Sequence, residues 1–168
     1  AIEISAKSAV LIDADSGRVL YEKNGHLPLP QASTTKITSA ILAIEKGNLE
    51  DKITVSKYAA ETGGSAIWLE TGEVFTLEQL LYAMLLNSAN DATVAVAEHI
   101  GGNEENFVKM MNAFARDIGA KNTHYVNPHG LHDDHHFSSA YDLALLSKYA
   151  MENPIFEEIV AAEKKVIP

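Results

Sequence analysis

One helix start organises the sequence, and residues 33–47 carry it: they read STTKITSAILAIEKG. Apolar residues occupy the positions i, i+3, i+4 and i+7 of this stretch, namely Ile37, Ala40, Ile41 and Ile44. This spacing predicts a helix with one buried face, and Gly47 is a typical helix end. Ser33 is then expected at or just before the first turn, with Lys36 one turn later on the same side. A hydroxyl and an amine so placed can touch, and the free N–H groups of a helix N-terminus suit a developing oxyanion.

The pair Ser33 and Lys36 has two interpretations: a catalytic serine with its base, or an N-cap serine followed by a solvated lysine. For the first interpretation, Lys36 is the local candidate for the base. A lysine has a reference pKa of ~10.4, so it must be desolvated or placed near other cations before it can accept a proton. Catalysis therefore predicts a partly enclosed pocket, and Ser88 and Asn90 are polar groups that could line it.

The composition is that of a globular protein: 46% of the 168 residues are hydrophobic. This length fits one domain with a core, or one and a half. The formal net charge of −10 argues against broad nucleic-acid binding. The absence of cysteine leaves the cellular compartment open. No apolar run approaches the ~18 residues of a membrane span, and the N-terminus shows no basic-then-apolar leader.

The predicted fold class is α+β, with a β-hairpin followed by a mostly helical lobe. Residues 6–13 and 17–23 are predicted strands, joined by a turn that ends in glycine. We therefore assign residues 1–24 to the hairpin and residues 25–168 to the helical lobe. A two-stranded hairpin is marginal alone, so it needs further strands or helices to pack on. Residues 48–75 are predicted to form short elements beside the first helix.

Helix boundaries are well marked in the rest of the chain. Residues 76–79 and 139–142 predict two capping boxes. The helix that starts near Asp91 is apolar on most sides, which predicts that it is buried in the centre of the domain. Ser88-Ala89-Asn90 then forms a tight polar link between two helices. Polar groups in such a link need hydrogen-bond partners or a function.

Three motifs in a fixed order indicate a family. Residues 31–37 read QASTTKI, residues 85–92 read LLNSANDA, and residues 126–131 read VNPHGL. Together they resemble the low-molecular-mass penicillin-binding proteins, the serine D-alanyl-D-alanine carboxypeptidases. The opening hairpin and residues 138–144, SSAYDLA, are similar to that family too. The resemblance covers nearly the whole chain and implies a β-lactamase/transpeptidase-like fold.

The resemblance implies a role for each polar residue of the first two motifs. Ser33 would attack the carbonyl of a terminal D-Ala-D-Ala bond and form an acyl-enzyme, while Lys36 takes its proton. Ser88 would help relay a proton to the leaving amine, and Asn90 would bind the substrate amide and help to hold Lys36. The backbone N–H of Ser33 would form half of the oxyanion hole. No metal or other cofactor is implied.

The resemblance also implies partners and a location. The expected substrate is a peptidoglycan stem peptide that ends in D-Ala-D-Ala, and β-lactams are expected to acylate Ser33 as mimics of it. The implied location is the extracytoplasmic face of a bacterial membrane, in the periplasm or cell wall space, after loss of any signal peptide.

Two departures from the family pattern are visible. Gln31 stands where the family usually has proline, which is a minor change. The third family motif, Lys-Thr-Gly or Lys-Ser-Gly on a later strand, does not occur in these residues. We therefore expect residues 1–168 to be the N-terminal portion of a single penicillin-binding catalytic domain, without the third-motif strand and the rest of the sheet. The hairpin would then have an unpaired edge through which two copies could associate.

Three other assignments are compatible with parts of the sequence. A class A β-lactamase would need a Glu-x-x-Leu-Asn string after the second motif, and no such string is present. A metal-binding module is suggested by one loop that is rich in potential zinc ligands, namely His124, His129, His132, Asp133, Asp134, His135 and His136. A non-catalytic wall-binding module would agree with the missing third motif but not with the two intact ones.

Overall fold

Seven α-helices and four short strands form the part of the chain that the computed structural model describes, residues 3–167. The strands are β1 (Ala9–Ile12), β2 (Val19–Lys23), β3 (Lys52–Thr54) and β4 (Val74–Thr76). The helices are α1 (Thr35–Lys46), α2 (Lys57–Ala60), α3 (Leu77–Asn87), α4 (Asn90–Gly101), α5 (Glu104–Ile118), α6 (Ala140–Met151) and α7 (Pro154–Ala161). A short 3-10 helix, Ala32–Thr34, leads directly into α1. The α+β class predicted from the sequence is confirmed.

Helix α4 is the centre of the helical lobe, as its apolar sequence predicted. It packs against α1, α2, α3 and α5 and against strand β3. Ala92, Val94 and Val96 are at most 1% exposed. Because several of its side chains are alanine, neighbouring helices can approach it closely, and its N-terminus lies inside the lobe. The link that precedes α4 is therefore held on a rigid, buried element.

The predicted hairpin forms from β1 and β2, which pair antiparallel with an irregularity in the register after Leu11. It packs on α6 through β1. A second two-stranded sheet, β3 with β4, lies inside the segment assigned to the helical lobe. Strand β4 was missed because its three residues run straight into the cap of α3 and are too short to show an alternating pattern. The assignment of all residues to one portion of a catalytic domain stays a prediction, and its residues 1, 2 and 168 lie outside the described part.

Of the two predicted capping boxes, one forms completely. The Thr76 hydroxyl accepts the Gln79 N–H at 3.1 Å, and the Gln79 side chain accepts the Thr76 N–H at 2.8 Å. At α6, Ser139 accepts the Asp142 N–H at 3.1 Å. The Asp142 carboxylate does not reach back, because it accepts hydrogen bonds from the Asn122 N–H and from the Thr123 hydroxyl. An aspartate at this position is short, and here it fixes the preceding loop instead.

No helix within residues 3–167 has the length and apolar character needed to cross a membrane.

The complete capping box at Thr76 gives a test of the fold. Thr76→Ala should lower the free energy of unfolding by about 1 kcal/mol, because the first turn of α3 loses its hydroxyl acceptor. Thr76→Ser is the matched control, since it keeps the hydroxyl. Urea unfolding followed by circular dichroism measures both variants. Equal destabilisation by the two substitutions would contradict a capping role for the hydroxyl.

Candidate active site

Three side chains that are distant in the sequence meet at the start of α1. The Lys36 amine lies 3.4 Å from the Ser33 hydroxyl oxygen and 3.2 Å from that of Ser88. The two hydroxyl oxygens are 2.8 Å apart. The three groups thus form a closed triangle of hydrogen bonds, in which a proton on any one has a short path to the other two.

Two strained backbone positions lie beside this triangle. Among residues 3–167, four non-glycine residues have a positive φ, and two of them are Ala32, at φ 48°, and Ser88, at φ 54°. Ala32 directly precedes Ser33 in the 3-10 helix. Ser88 ends α3 in the left-handed conformation. Such conformations cost about 1–3 kcal/mol each and persist where the surrounding structure enforces them, often at functional sites.

The Lys36 amine is buried, whereas the Ser33 side chain faces solvent. Lys36 is 3% exposed, and burial lowers its pKa to about 8. Its shortest hydrogen bond goes to the backbone carbonyl of His129, at 2.8 Å. A lysine with this pKa is neutral in a useful fraction of molecules near neutral pH, so it can accept a proton from a neighbouring hydroxyl.

The loop that supplies the His129 carbonyl also touches the backbone beside the nucleophile. Gly130 has a φ of 98°, and a Cβ atom there would lie 1.9 Å from the Ala32 carbonyl oxygen. Only a glycine allows so close an approach. The VNPHGL motif therefore packs directly under Ser33 and Lys36, a placement that spacing in the sequence could not have predicted.

Asn90 begins α4 and differs from the prediction in one respect. Its side-chain amide donates to the Gly63 carbonyl at 2.9 Å, and its backbone N–H donates to the Ser65 carbonyl at 2.7 Å. The predicted contact that would help to hold Lys36 is not among the hydrogen bonds of the described residues, and the His129 carbonyl takes that place instead. Asn90 therefore ties the loop at 63–65 to α4, two residues from Ser88.

An open cleft of about 480 Å³ leads to the triangle. Its polar end is formed by Ser33, Lys36 and Ser88, and the remainder is mainly apolar. Helices α1, α3, α6 and α7 supply the apolar side chains, which include Ile37, Leu85, Met151, Phe156 and Val160. Concave sites with a few convergent polar groups in an apolar lining are typical of small-molecule and peptide binding.

The histidine-rich loop does not gather metal ligands. Within residues 3–167, no three His, Cys, Asp or Glu side chains form a group that could hold a metal ion. His136 is buried instead, where its ring accepts the Val126 N–H at 3.0 Å and donates to the Thr35 hydroxyl at 2.7 Å. Burial lowers the pKa of His136 to about 4, so the ring is neutral and serves as a fixed hydrogen-bond bridge to the residue before Lys36.

The backbone carbonyls of the site were not predicted from the sequence. The carbonyls of His129, Gly63 and Ser65 carry no side-chain signal, since every residue has one. The glycine in the VNPHGL motif was the available hint of a close approach.

The helices of this fold surround a buried α4, and a Ser-x-x-Lys helix start faces a Ser-x-Asn link. This combination is typical of the penicillin-binding and transpeptidase-like serine proteins. The family profile described as D-alanyl-D-alanine carboxypeptidase matches residues 1–167. The chain belongs to this family.

Relatives and solved structures agree with this placement. The chain is similar to D-alanyl-D-alanine carboxypeptidase DacF of Bacillus subtilis, with 49% identity over 148 residues, which cover 85% of this chain and 38% of the relative. It is 35% identical to DacA of Escherichia coli over 174 residues, covering 97% of this chain and 43% of the relative. The crystal structure of penicillin binding protein 6B from Escherichia coli superposes with a TM-score of 0.93 at 31% identity, covering 99% of this chain and 56% of that one. The chain thus spans about two fifths of the length of these two curated relatives.

The environment of Lys36 gives a prediction that needs no substrate. We expect its amine to titrate with a midpoint of about 8, because burial disfavours the charged form. NMR of the lysine side-chain signals against pH measures this, with Lys36→Arg to assign the resonance. A midpoint near the ordinary lysine value of ~10.4 would show that the amine is solvated.

Proposed function

We propose that the whole protein is a serine D,D-carboxypeptidase, which removes the terminal D-alanine from peptidoglycan stem peptides through an acyl-enzyme on Ser33. The observation that carries the proposal is the triangle of Ser33, Lys36 and Ser88 around a buried amine with a pKa of about 8. A serine nucleophile needs a base within hydrogen-bond distance. With a pKa of about 8, Lys36 is partly deprotonated near neutral pH and can act as that base. The family to which the chain belongs supports the choice of reaction.

In the acylation step, neutral Lys36 accepts the proton of the Ser33 hydroxyl as its oxygen attacks the carbonyl carbon of the penultimate D-alanine. The charge on the carbonyl oxygen is stabilised by the backbone N–H of Ser33, at a helix start where N–H groups lack intrahelical partners. The bond between that carbon and the D-alanine nitrogen then breaks. Ser88 passes the proton from the Lys36 ammonium to the leaving nitrogen, a role that its hydrogen bonds to both Lys36 and Ser33 support. Water finally attacks the ester, which releases the shortened peptide and restores Ser33.

Asn90 is proposed to bind the amide of the substrate. It sits at the first turn of α4 beside Ser88, and its side chain is tied to Gly63, so substrate would share or replace that hydrogen bond. A β-lactam would acylate Ser33 because its strained amide mimics the scissile bond. Association of two copies through the free edge of the hairpin stays a prediction.

The proposed place of action is the extracytoplasmic face of a bacterial membrane, where peptidoglycan is exposed. The β-lactamase, metal-binding and non-catalytic alternatives are not favoured, because the family profile covers residues 1–167 and the similar proteins carry carboxypeptidase names. The single catalytic domain predicted from the motifs is part of this proposal.

Labelling with a fluorescent penicillin tests the proposal on the protein at its full encoded length. We expect covalent labelling at Ser33, its loss in Ser33→Ala, and strong slowing in Lys36→Ala, because the base is removed. Ser147→Ala is the control, because Ser147 is a cleft serine outside the triangle, and it should label normally. Release of D-alanine from a synthetic peptide ending in D-Ala-D-Ala, at a rate that follows the labelling pattern, would support the substrate. Undiminished labelling in Ser33→Ala would refute the assigned nucleophile, and rapid release of hydrolysed penicillin would indicate a β-lactamase.

A further inference from the structure

The Asn127 side chain, which lies outside the first two motifs, hydrogen-bonds the loop whose carbonyl accepts from Lys36. We infer that Asn127 is a positioning residue, which fixes the His129 carbonyl so that the lone pair of Lys36 is directed at the serine hydroxyls. The inference rests on the proposed function, in which Lys36 removes the proton of Ser33. It concerns how a flexible amine with several partners presents the correct side to the nucleophile.

The argument begins with the donors and acceptors of the amine. Lys36 has three oxygen neighbours, which are the His129 carbonyl at 2.8 Å and the hydroxyls of Ser88 at 3.2 Å and Ser33 at 3.4 Å. The ammonium form has three N–H donors, one for each oxygen. The neutral form has two N–H donors and one lone pair, so one of the three hydrogen bonds must reverse on deprotonation.

The chemistry of the three oxygens decides which hydrogen bond reverses. A carbonyl can only accept, whereas a hydroxyl can donate or accept. The His129 carbonyl therefore always takes one N–H of Lys36. The other N–H and the lone pair are left to the two hydroxyls, so the lone pair must face Ser33 or Ser88. Without a fixed carbonyl, the amine could donate to both hydroxyls and turn its lone pair away.

The position of this carbonyl depends on Asn127. The Asn127 side-chain oxygen accepts the N–H of Gly130 at 2.7 Å and that of His129 at 3.2 Å. Its amide group donates to the Leu131 carbonyl at 2.9 Å. One half-buried side chain thus holds the three residues that follow Pro128, including the one whose carbonyl faces Lys36.

Two further contacts show that the loop is held against α1 as well as within itself. The Ser39 hydroxyl donates to the Pro128 carbonyl, and Gly130 lies against the Ala32 carbonyl. Movement of the loop would therefore be transmitted to both ends of the Ser33–Lys36 pair. Displacement of a catalytic group by about 1 Å can cost ~100-fold in rate.

The chain offers a matched control in Asn112. Its side chain also makes three hydrogen bonds to backbone: it accepts from the Tyr125 N–H at 2.9 Å and donates to the carbonyls of Tyr125 at 2.8 Å and Val108 at 3.2 Å. It supports the same long loop, but its described hydrogen bonds do not include His129 or Lys36. Asn112→Ala should therefore destabilise the loop without redirecting the base.

The test uses the full encoded protein and follows the rate of acylation by a fluorescent penicillin at pH values on both sides of 8. In Asn127→Ala we expect the plateau rate at high pH to fall by about ten- to hundredfold. High pH deprotonates Lys36 but does not direct its lone pair at the serine hydroxyls, so the rate is not restored. Asn112→Ala should keep a plateau rate close to that of the wild type, even where its melting temperature falls as much. Asn127→Asp keeps the oxygen that accepts the two N–H groups and should recover most of the lost rate.

Equal loss of rate in Asn127→Ala and Asn112→Ala, or an unchanged plateau in Asn127→Ala, would overturn the inference. The NMR titration of Lys36 tests the same link without any reaction: its midpoint should shift in Asn127→Ala and stay in Asn112→Ala, and an unchanged midpoint in both would also overturn it. Failure of the wild-type protein to label at Ser33 would instead refute the proposed function, and the titration would still decide the link between Asn127 and Lys36.

Discussion

The rest of the site depends on the burial of one amine. Removing an ammonium from water costs several kcal/mol unless it is paired, so a buried lysine either finds a carboxylate or gives up its proton more readily. The hydrogen-bond partners of Lys36 among the described residues are two hydroxyls and one carbonyl, all of them neutral. A carboxylate would satisfy the amine and raise its pKa, whereas neutral oxygens satisfy the N–H groups and leave the desolvation cost in place. The same environment therefore binds the lysine and prepares it to act as a base.

Three separate segments of the chain form this environment. Their assembly is accompanied by backbone strain at two residues. Ala32 and Ser88 both hold left-handed backbone conformations, which are unfavourable for residues with a Cβ atom. The conformation of Ser88 is supported by its N–H, which donates to the Ala83 carbonyl at the end of α3. That of Ala32 is enclosed by Gly130, which lies so close that no side chain would fit between them. The buried packing of α3 and α4 supplies the stability that offsets this strain.

Much of the frame could be predicted from the sequence, because helix periodicity, capping residues and glycine stops are local signals. The start of α1, the cap at Thr76 and the central position of α4 all follow from such signals. The strand β4 did not, since three residues cannot show a period. The tie from Asn90 to Gly63 and the carbonyl of His129 could not be predicted either. Each contact is a hydrogen bond from a side chain to a backbone carbonyl, 27 and 93 residues away respectively, and no residue type marks such a carbonyl. The sequence motifs predict where the site lies, but the hydrogen bonds that connect its parts are visible only in the folded structure.

The base and the nucleophile differ in solvent exposure, and this difference has a chemical consequence. Lys36 lies inside the helical lobe at 3% exposure, while Ser33, one turn earlier, is open to the cleft. The main cause of the lowered pKa of Lys36 is desolvation, and the residues described here produce that desolvation by themselves. A nucleophile must meet a substrate, so it has to stay accessible, but a base need only meet the nucleophile. A helix start achieves both, because Ser33 precedes α1 and faces the cleft, while Lys36, one turn later, is buried in the lobe. The Ser-x-x-Lys spacing keeps the hydroxyl and the amine on one side of the helix and within reach of each other, and this explains why the pair is three residues apart.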